Sequence, residues 1–349
     1  MFVEKALSCR HNAVMNHASS RRFVVLMMLL AVFTLTGCGA LQSGPSVSVY
    51  ERVQRASVEV LVAGRLEGSG WFADPQGYVV TAAHIFAGRP EGQSIEIVSP
   101  VAGRLPAKIV AVDIGHDLAL LHVDGPADAR YPWLEVAKRS PQLGEDVFVF
   151  GTPMFRHGVV MHGRVARATP SYEYLPGYAE YVYAYTVRGA APHGSSGGCW
   201  VDHRGYVIGN QCGLMIHNNA HTGLAFVIPP QPIARLLAER TDAVTPTLNL
   251  AVEELWEQSA DYIARFGPGA EGLVPAVVKG VAAEAKLSRD MIITAIDGQP
   301  VRYRDELLRT IRQRSPGDTV TLTVAPIDNA EAKKEIQVKV AQRHLAPPK

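Results

Sequence analysis

Between Tyr50 and about Ile228 the apolar residues come in short runs, some alternating and some continuous: Val58–Val62, Tyr78–Ala82, Lys108–Val112, Leu118–Val123, Asp146–Phe150, Tyr181–Val187, Tyr206–Asn210 and Leu224–Ile228. Gly, Pro, Asp and Asn separate them. Such punctuation predicts many short strands, and so an all-β sandwich or barrel. Pro229–Glu239 then switches to a helical period, with Ile233, Leu236 and Leu237 on one face. Thr241–Thr247 has little apolar content and contains Pro246, and reads as a linker. The pattern beyond it is mixed α/β. Strands are expected at Leu273–Val278, Met291–Ile296, Thr319–Val324 and Lys334–Val340, with a tight turn at Asp297-Gly298 before Gln299–Arg302. A helix is expected over Asp305–Arg314, with Leu307, Leu308 and Ile311 facing inward.

The N-terminus follows another logic. Arg21-Arg22 precede an apolar run from Phe23 to Leu35, shorter than the about 20 residues a membrane span needs. A positive flank before a short apolar core is the pattern of an export signal. Met15 would suffice as its start. The run ends in Leu35-Thr36-Gly37-Cys38, which resembles the lipobox of bacterial lipoproteins. The resemblance implies a signal peptide over 1–37, acylation of Cys38, and a Gly/Ser/Pro-rich tether over 38–49. Gly39, in place of Asp, implies the outer membrane, with the protein facing the periplasm. A plain signal peptide or a retained short anchor are the alternatives.

The chain has 349 residues, enough for two domains with a core in each. Lys+Arg 34 against Asp+Glu 33 leaves a net charge of +1, and no basic tract argues for a nucleic-acid partner. Cys9 and Cys38 fall in the leader, which leaves Cys199 and Cys212 in the mature body. Both fall in one expected hairpin. Their proximity makes a disulfide a working hypothesis, with free thiols as the alternative.

Three short segments carry candidate chemistry. Gly68-Ser69-Gly70-Trp71-Phe72, then Gly77-Tyr78-Val79-Val80-Thr81-Ala82-Ala83-His84, runs a hydrophobic strand into small residues and delivers a histidine at its end. His116-Asp117-Leu118-Ala119-Leu120-Leu121 sets an aspartate at the head of an apolar strand, with Asp113 as a nearby competitor. Gly194-Ser195-Ser196-Gly197-Gly198 places two serines in a glycine turn, where a tight backbone can aim N–H groups inward. His217 and His221 have the spacing of helical metal ligands, but Asn218-Asn219 and Gly223 mark a loop, so no metal is expected.

Together these segments resemble trypsin-like serine proteases, and the HtrA/Deg branch in particular. The resemblance covers most of Tyr50–Glu239 and implies a mainly β, two-barrel domain over 50–240. His84, Asp117 and Ser196 would form the triad, in the order His, Asp, Ser. The N–H groups of Gly194 and Ser196 would form an oxyanion hole, with Ser195 N–H directed nearby. Ser195 replaces the family's Asn, and Cys199 its usual Pro. Ala190 would lie near the base of the primary substrate pocket, with Gly213-Leu214 along one wall. A small or apolar residue before the cut follows. No cofactor is implied.

After the linker at 241–247, residues 248–342 resemble an HtrA-type PDZ domain, followed by a tail over 343–349. This implies a site for C-terminal peptides at Asn249-Leu250-Ala251-Val252, although that segment lacks the Gly-rich form. The function implied is endoproteolysis of unfolded or damaged envelope proteins by a homo-oligomer, with trimers common in the family. The alternative is a catalytically silent or latent lipoprotein adaptor that recruits partners without cleaving them.

Overall fold

The computed structural model describes residues 46–90, 92–218, 220–267, 270–327, 329 and 331–345. The export signal, the lipobox Cys38 and most of the tether lie outside them. Val47–Ala56 forms a helix, α1, where the end of the tether and the start of the strand-dominated region were expected. Val53 and Ala56 anchor it on the core, which explains why the chain coils there instead of running free.

Twelve strands follow. Six close a first barrel in the order β1-β2-β3-β6-β5-β4: β1 Ser57–Val62, β2 Arg65–Phe72, β3 Tyr78–Ala82, β4 Ile95–Ser99, β5 Gly103–Asp113 and β6 Leu118–Val123. The other six close a second barrel in the order β10-β11-β12-β9-β8-β7: β7 Asp146–Gly151, β8 Val159–Leu175, β9 Glu180–Gly189, β10 Cys199–Val201, β11 Val207–His217 and β12 Ala220–Ile228. Closure leaves neither barrel a free edge of its own. The inward residues of the first barrel, among them Val60, Phe72, Val80 and Leu120, share one core with Phe150, Val182 and Ile228 of the second. Helix α2, Pro230–Glu239, seals that core with Ile233 and Leu236.

Four strands, β2, β4, β8 and β10, escape a reading of apolar runs, and two of them have a clear physical reason. In β2, Gly68 and Gly70 lower the apolar content because the backbone of other segments needs the room: a Cβ on Gly68 would lie 2.8 Å from Ser196 O. In β8 the alternation is mostly between exposed and half-buried positions, since its outer half runs beyond the barrel.

The remaining strands form two further sheets. β13 Pro246–Thr247 pairs with β20 Ala341–Gln342. The main sheet has the order β14-β15-β16-β18-β19, from β14 Leu250–Glu254, β15 Leu273–Val278, β16 Met291–Ile296, β18 Thr319–Pro326 and β19 Lys334–Lys339, with β17 Gln299–Pro300 paired to β16. Short helices α3 Ala260–Ala264 and α4 Gly280–Glu284 precede α5, Arg304–Arg312. Leu307, Leu308 and Ile311 of α5 are buried against this sheet. β14 is an edge strand.

Candidate active site

His84 leaves β3 on a 3-10 turn spanning Ala83–Phe86. Asp117 ends a second such turn, Ile114–His116, at φ 51 and ψ 43. This left-handed geometry is uncommon for a residue with a side chain and is tolerated best by Asp, Asn and Gly. It throws the carboxylate back under the histidine. His84 N–H donates to Asp117 Oδ1 at 2.7 Å, and Nδ1–H donates to Oδ2 at 2.6 Å. Two bonds fix the ring and its tautomer together. Nε2 is left to accept from Ser196 Oγ, 2.9 Å away.

Asp117 is fully buried, so its charge acts through a poor dielectric. Burial of the His84 imidazole works to lower its pKa, but the charge and hydrogen bond of Asp117 outweigh that, and the net pKa lies above 6.5. The competitor Asp113 is committed elsewhere. It accepts from His116 Nδ1 and Arg235 Nη2, each at 2.9 Å.

The nucleophile loop is set peptide by peptide. The carbonyl of His193 accepts from Met154 N–H at 2.6 Å, and the carbonyl of Gly194 accepts from Ser69 Oγ at 2.7 Å. Ser195 N–H closes a turn onto Pro192 O at 3.0 Å, and Ser195 O accepts from Gly198 N–H at 2.9 Å. In a trans peptide the N–H points opposite the C=O. The pinned carbonyls of His193 and Ser195 therefore turn the N–H groups of Gly194 and Ser196 to the other side. Neither N–H has a protein acceptor among the described residues. Both are left free to donate to a bound group.

The expectation that Ser195 N–H joins them is corrected, because that group is spent on Pro192. Ser195 is also fully buried, and its hydroxyl has no protein partner among the described residues and no contact with His84, unlike that of Ser196. Gly194 has φ +93, and a Cβ there would lie 2.1 Å from Thr152 O; Gly197 has φ +83, and its Cβ would lie 2.2 Å from Ser69 O. These two glycines are required by both backbone and space.

Ser69, which the His segment contains without a role, and Met154 are the residues whose part in the site the motifs did not give. Ser69 Oγ donates to Gly194 O while accepting from Thr152 N–H at 2.9 Å. A lone serine between Gly68 and Gly70 hints at such a role, whereas Met154 acts through its backbone and leaves no side-chain signal.

Other expectations fare differently. Cys199 and Cys212 are separate, free and buried, not disulfide-bonded. Cys199 faces Asn210 in the register, so Cys212 lies two positions further along β11. Its Sγ donates to Phe226 O at 3.1 Å. Burial pushes the Cys199 thiol up to about 12 and the Cys212 thiol well above its ordinary value. Ala190 is exposed and not the floor of a closed pocket, because the chain leaves β9 there before Ala191 turns into the core. Gly213 and Leu214 are half-buried. Leu175 crowds this wall: a Cβ on Gly213 would lie 2.7 Å from Leu175 Cδ2. Asn249, Leu250, Ala251 and Val252 do not present an open strand edge, since the hydroxyl of Tyr181 sits on Val252.

Two closed barrels, with histidine and aspartate from the first and serine from the second, define a trypsin-like peptidase fold. A family model for the trypsin-like peptidase domain matches residues 68–209. The chain is 27% identical over 262 residues to the "Probable periplasmic serine endoprotease DegP-like" of Bartonella henselae, covering 74% of this chain and 50% of the relative. It is 24% identical over 285 residues to the chloroplastic Protease Do-like 1 of Arabidopsis thaliana, covering 79% and 64%. The chain spans about half the length of the first of these relatives. Among solved structures, the HtrA-type protease AlgW with a decapeptide matches with TM-score 0.58 at 20% identity, over 86% of this chain and 98% of that one. The serine endoprotease from Yersinia pestis matches with TM-score 0.55 at 19% identity, over 84% and 98%. These likenesses show a trypsin-like peptidase domain over residues 68–209 and a fold like that of the HtrA-type proteases.

Proposed function

We propose that this chain is a serine endopeptidase that hydrolyses unfolded or damaged polypeptides in the cell envelope. The observation that carries the reading is His84 bridged between Asp117 and Ser196, beside the free N–H groups of Gly194 and Ser196. Ser196 Oγ attacks the scissile carbonyl carbon as His84 Nε2 takes its proton. Asp117 steadies the imidazolium, and the two N–H groups receive the oxyanion. His84 then gives the proton to the leaving amine. Water, deprotonated by His84, attacks the acyl-enzyme; the acid departs and Ser196 regains its proton.

A peptide entering along β11 meets Gly213 and Leu214 with Leu175 beside them, which favours a small or apolar residue before the cut. A peptide-library profile led by Arg or Lys would contradict that preference. The periplasmic relatives support an envelope location, and the lipobox supports anchoring through Cys38; a Cys38→Ala variant released from membranes is the expected result. Residues 248–342 serve as a PDZ-like domain, and light scattering of the purified protein tests the trimer. The activity itself is tested with an unfolded casein substrate. Cleavage by the wild type, absent in Ser196→Ala, is expected. Intact casein with both proteins, despite correct folding, would favour the adaptor reading.

A further inference from the structure

The edge of β14 is the place where an added peptide strand would pair. Val252 faces Pro275 across the sheet, and proline has no N–H to give, so the amide groups of Val252 turn outward. An extended ligand would take both of them. Here one side chain of the same molecule does so. Tyr181 Oη accepts from Val252 N–H at 2.8 Å and donates to Val252 O at 3.0 Å. The tyrosine belongs to β9 of the second barrel.

The whole outer half of the β8–β9 hairpin docks with it. Tyr172 and Tyr181 are buried in the core of the C-terminal domain, with Leu250, Val252, Leu307 and Ile311. Tyr172 N–H donates to Asp305 Oδ1, in the first turn of α5, at 2.9 Å. The hairpin thus lies between the sheet edge and the helix. At the neighbouring loop, Asn249 N–H is taken by Thr247 Oγ1 at 3.0 Å and is not free for a terminal carboxylate.

The hairpin's turn is clamped from the same side. Glu180 is buried, with Arg312 Nη2 at 3.2 Å and Arg343 Nε at 3.4 Å. Arg312 also donates to Tyr181 O, and Arg343 to Tyr178 O at 3.2 Å. Tyr178, in that turn, is buried edge-on to the His84 ring, with centroids 6.4 Å apart. The contacts run without a break from the edge of β14 to the catalytic histidine.

We infer that the β8–β9 hairpin is the C-terminal domain's own ligand, docked through Tyr172, Tyr181 and Glu180, so that the active site is held ready without any added peptide. Tyr181 and Glu180 are positioning residues; neither touches the reacting atoms. The docking stands on geometry alone, whereas its link to turnover rests on the endopeptidase reading.

The test uses the full chain and two readouts. Hydrogen exchange follows the Val252 amide, and casein cleavage gives kcat and KM with and without fluorescein-labelled decapeptides that have apolar C-termini and free carboxylates. The expected result for the wild type is a protected Val252 amide, no polarisation change with the decapeptides and no activation. Tyr181→Phe keeps the ring and loses only the hydroxyl. It should speed Val252 exchange about tenfold, equivalent to about 1.4 kcal/mol of lost hydrogen bonding, and lower kcat severalfold at unchanged KM. Glu180→Ala should lower kcat further, with partial rescue in Glu180→Gln.

Tight decapeptide binding by the wild type, unchanged in Tyr181→Phe, would overturn the docking. Faster Val252 exchange with no change in kcat would overturn the link to the active site. A protected Val252 amide with no cleavage by any variant would support the docking and overturn the endopeptidase reading.

Discussion

The two barrels hold their shares of the site by different means. In the first, the backbone and ring of His84 and the carboxylate of Asp117 hold one another, and the strands behind them are packed in a dry core. In the second, the nucleophile loop is fixed by Ser69 from the first barrel and by the Met154 amide, while the hairpin beside it is fixed by the C-terminal domain. The base and its orienter are self-contained, and the environment of the serine is assembled from borrowed contacts. Substitutions of the triad residues themselves, in either barrel, should therefore damage chemistry directly, and those of the borrowed contacts around the serine should act through position.

The largest effect belongs to Ser196→Ala, which should lower kcat by about 10⁴–10⁶ with little change in stability. Asp117→Asn should cost about 10⁴ in kcat, since the amide no longer dictates the tautomer of His84. Gly194→Ala should cost about 10²–10³ in kcat and also lower Tm, because its Cβ would collide with Thr152 O. Kinetics and thermal melts of the three variants separate chemistry from folding.

A pH profile sharpens the same contrast. A general base acts neutral, and His84 has a pKa raised above 6.5 because Asp117 outweighs burial. The acid limb of kcat/KM should therefore lie above pH 6.5, with activity rising as His84 loses its proton. In Asp117→Asn the residual activity should keep rising to a lower pH than in the wild type, because only the lowering influence of burial remains. The smallest effect concerns the cysteines. Both thiols are buried with raised pKa values, so neither should react with iodoacetamide in the native protein, and reductant should leave the intact mass unchanged.

The triad was legible because its parts are short and local. A strand ending at His84, an apolar strand after Asp117 and a glycine turn around Ser196 each leave their mark within a few residues. Apolar runs also marked β3 and β6 at their full lengths. What stayed hidden depends on contacts far apart in sequence. Ser69 reaches Gly194, and Tyr181 reaches Val252, across stretches that no periodicity joins. The outer half of β8 looks polar because its partner is the C-terminal sheet and helix, not its own barrel. The disulfide hypothesis failed for a related reason: hairpin proximity is visible in sequence, but the register that separates Cys199 from Cys212 is not.

The most direct measurement is peptide mapping by mass spectrometry after treatment of the folded wild type with a fluorophosphonate. A single covalent adduct on Ser196, lost in His84→Ala and retained in Ser195→Ala, is the expected result. An adduct on Ser195, or an unlabelled Ser196 in protein that is folded, would contradict it.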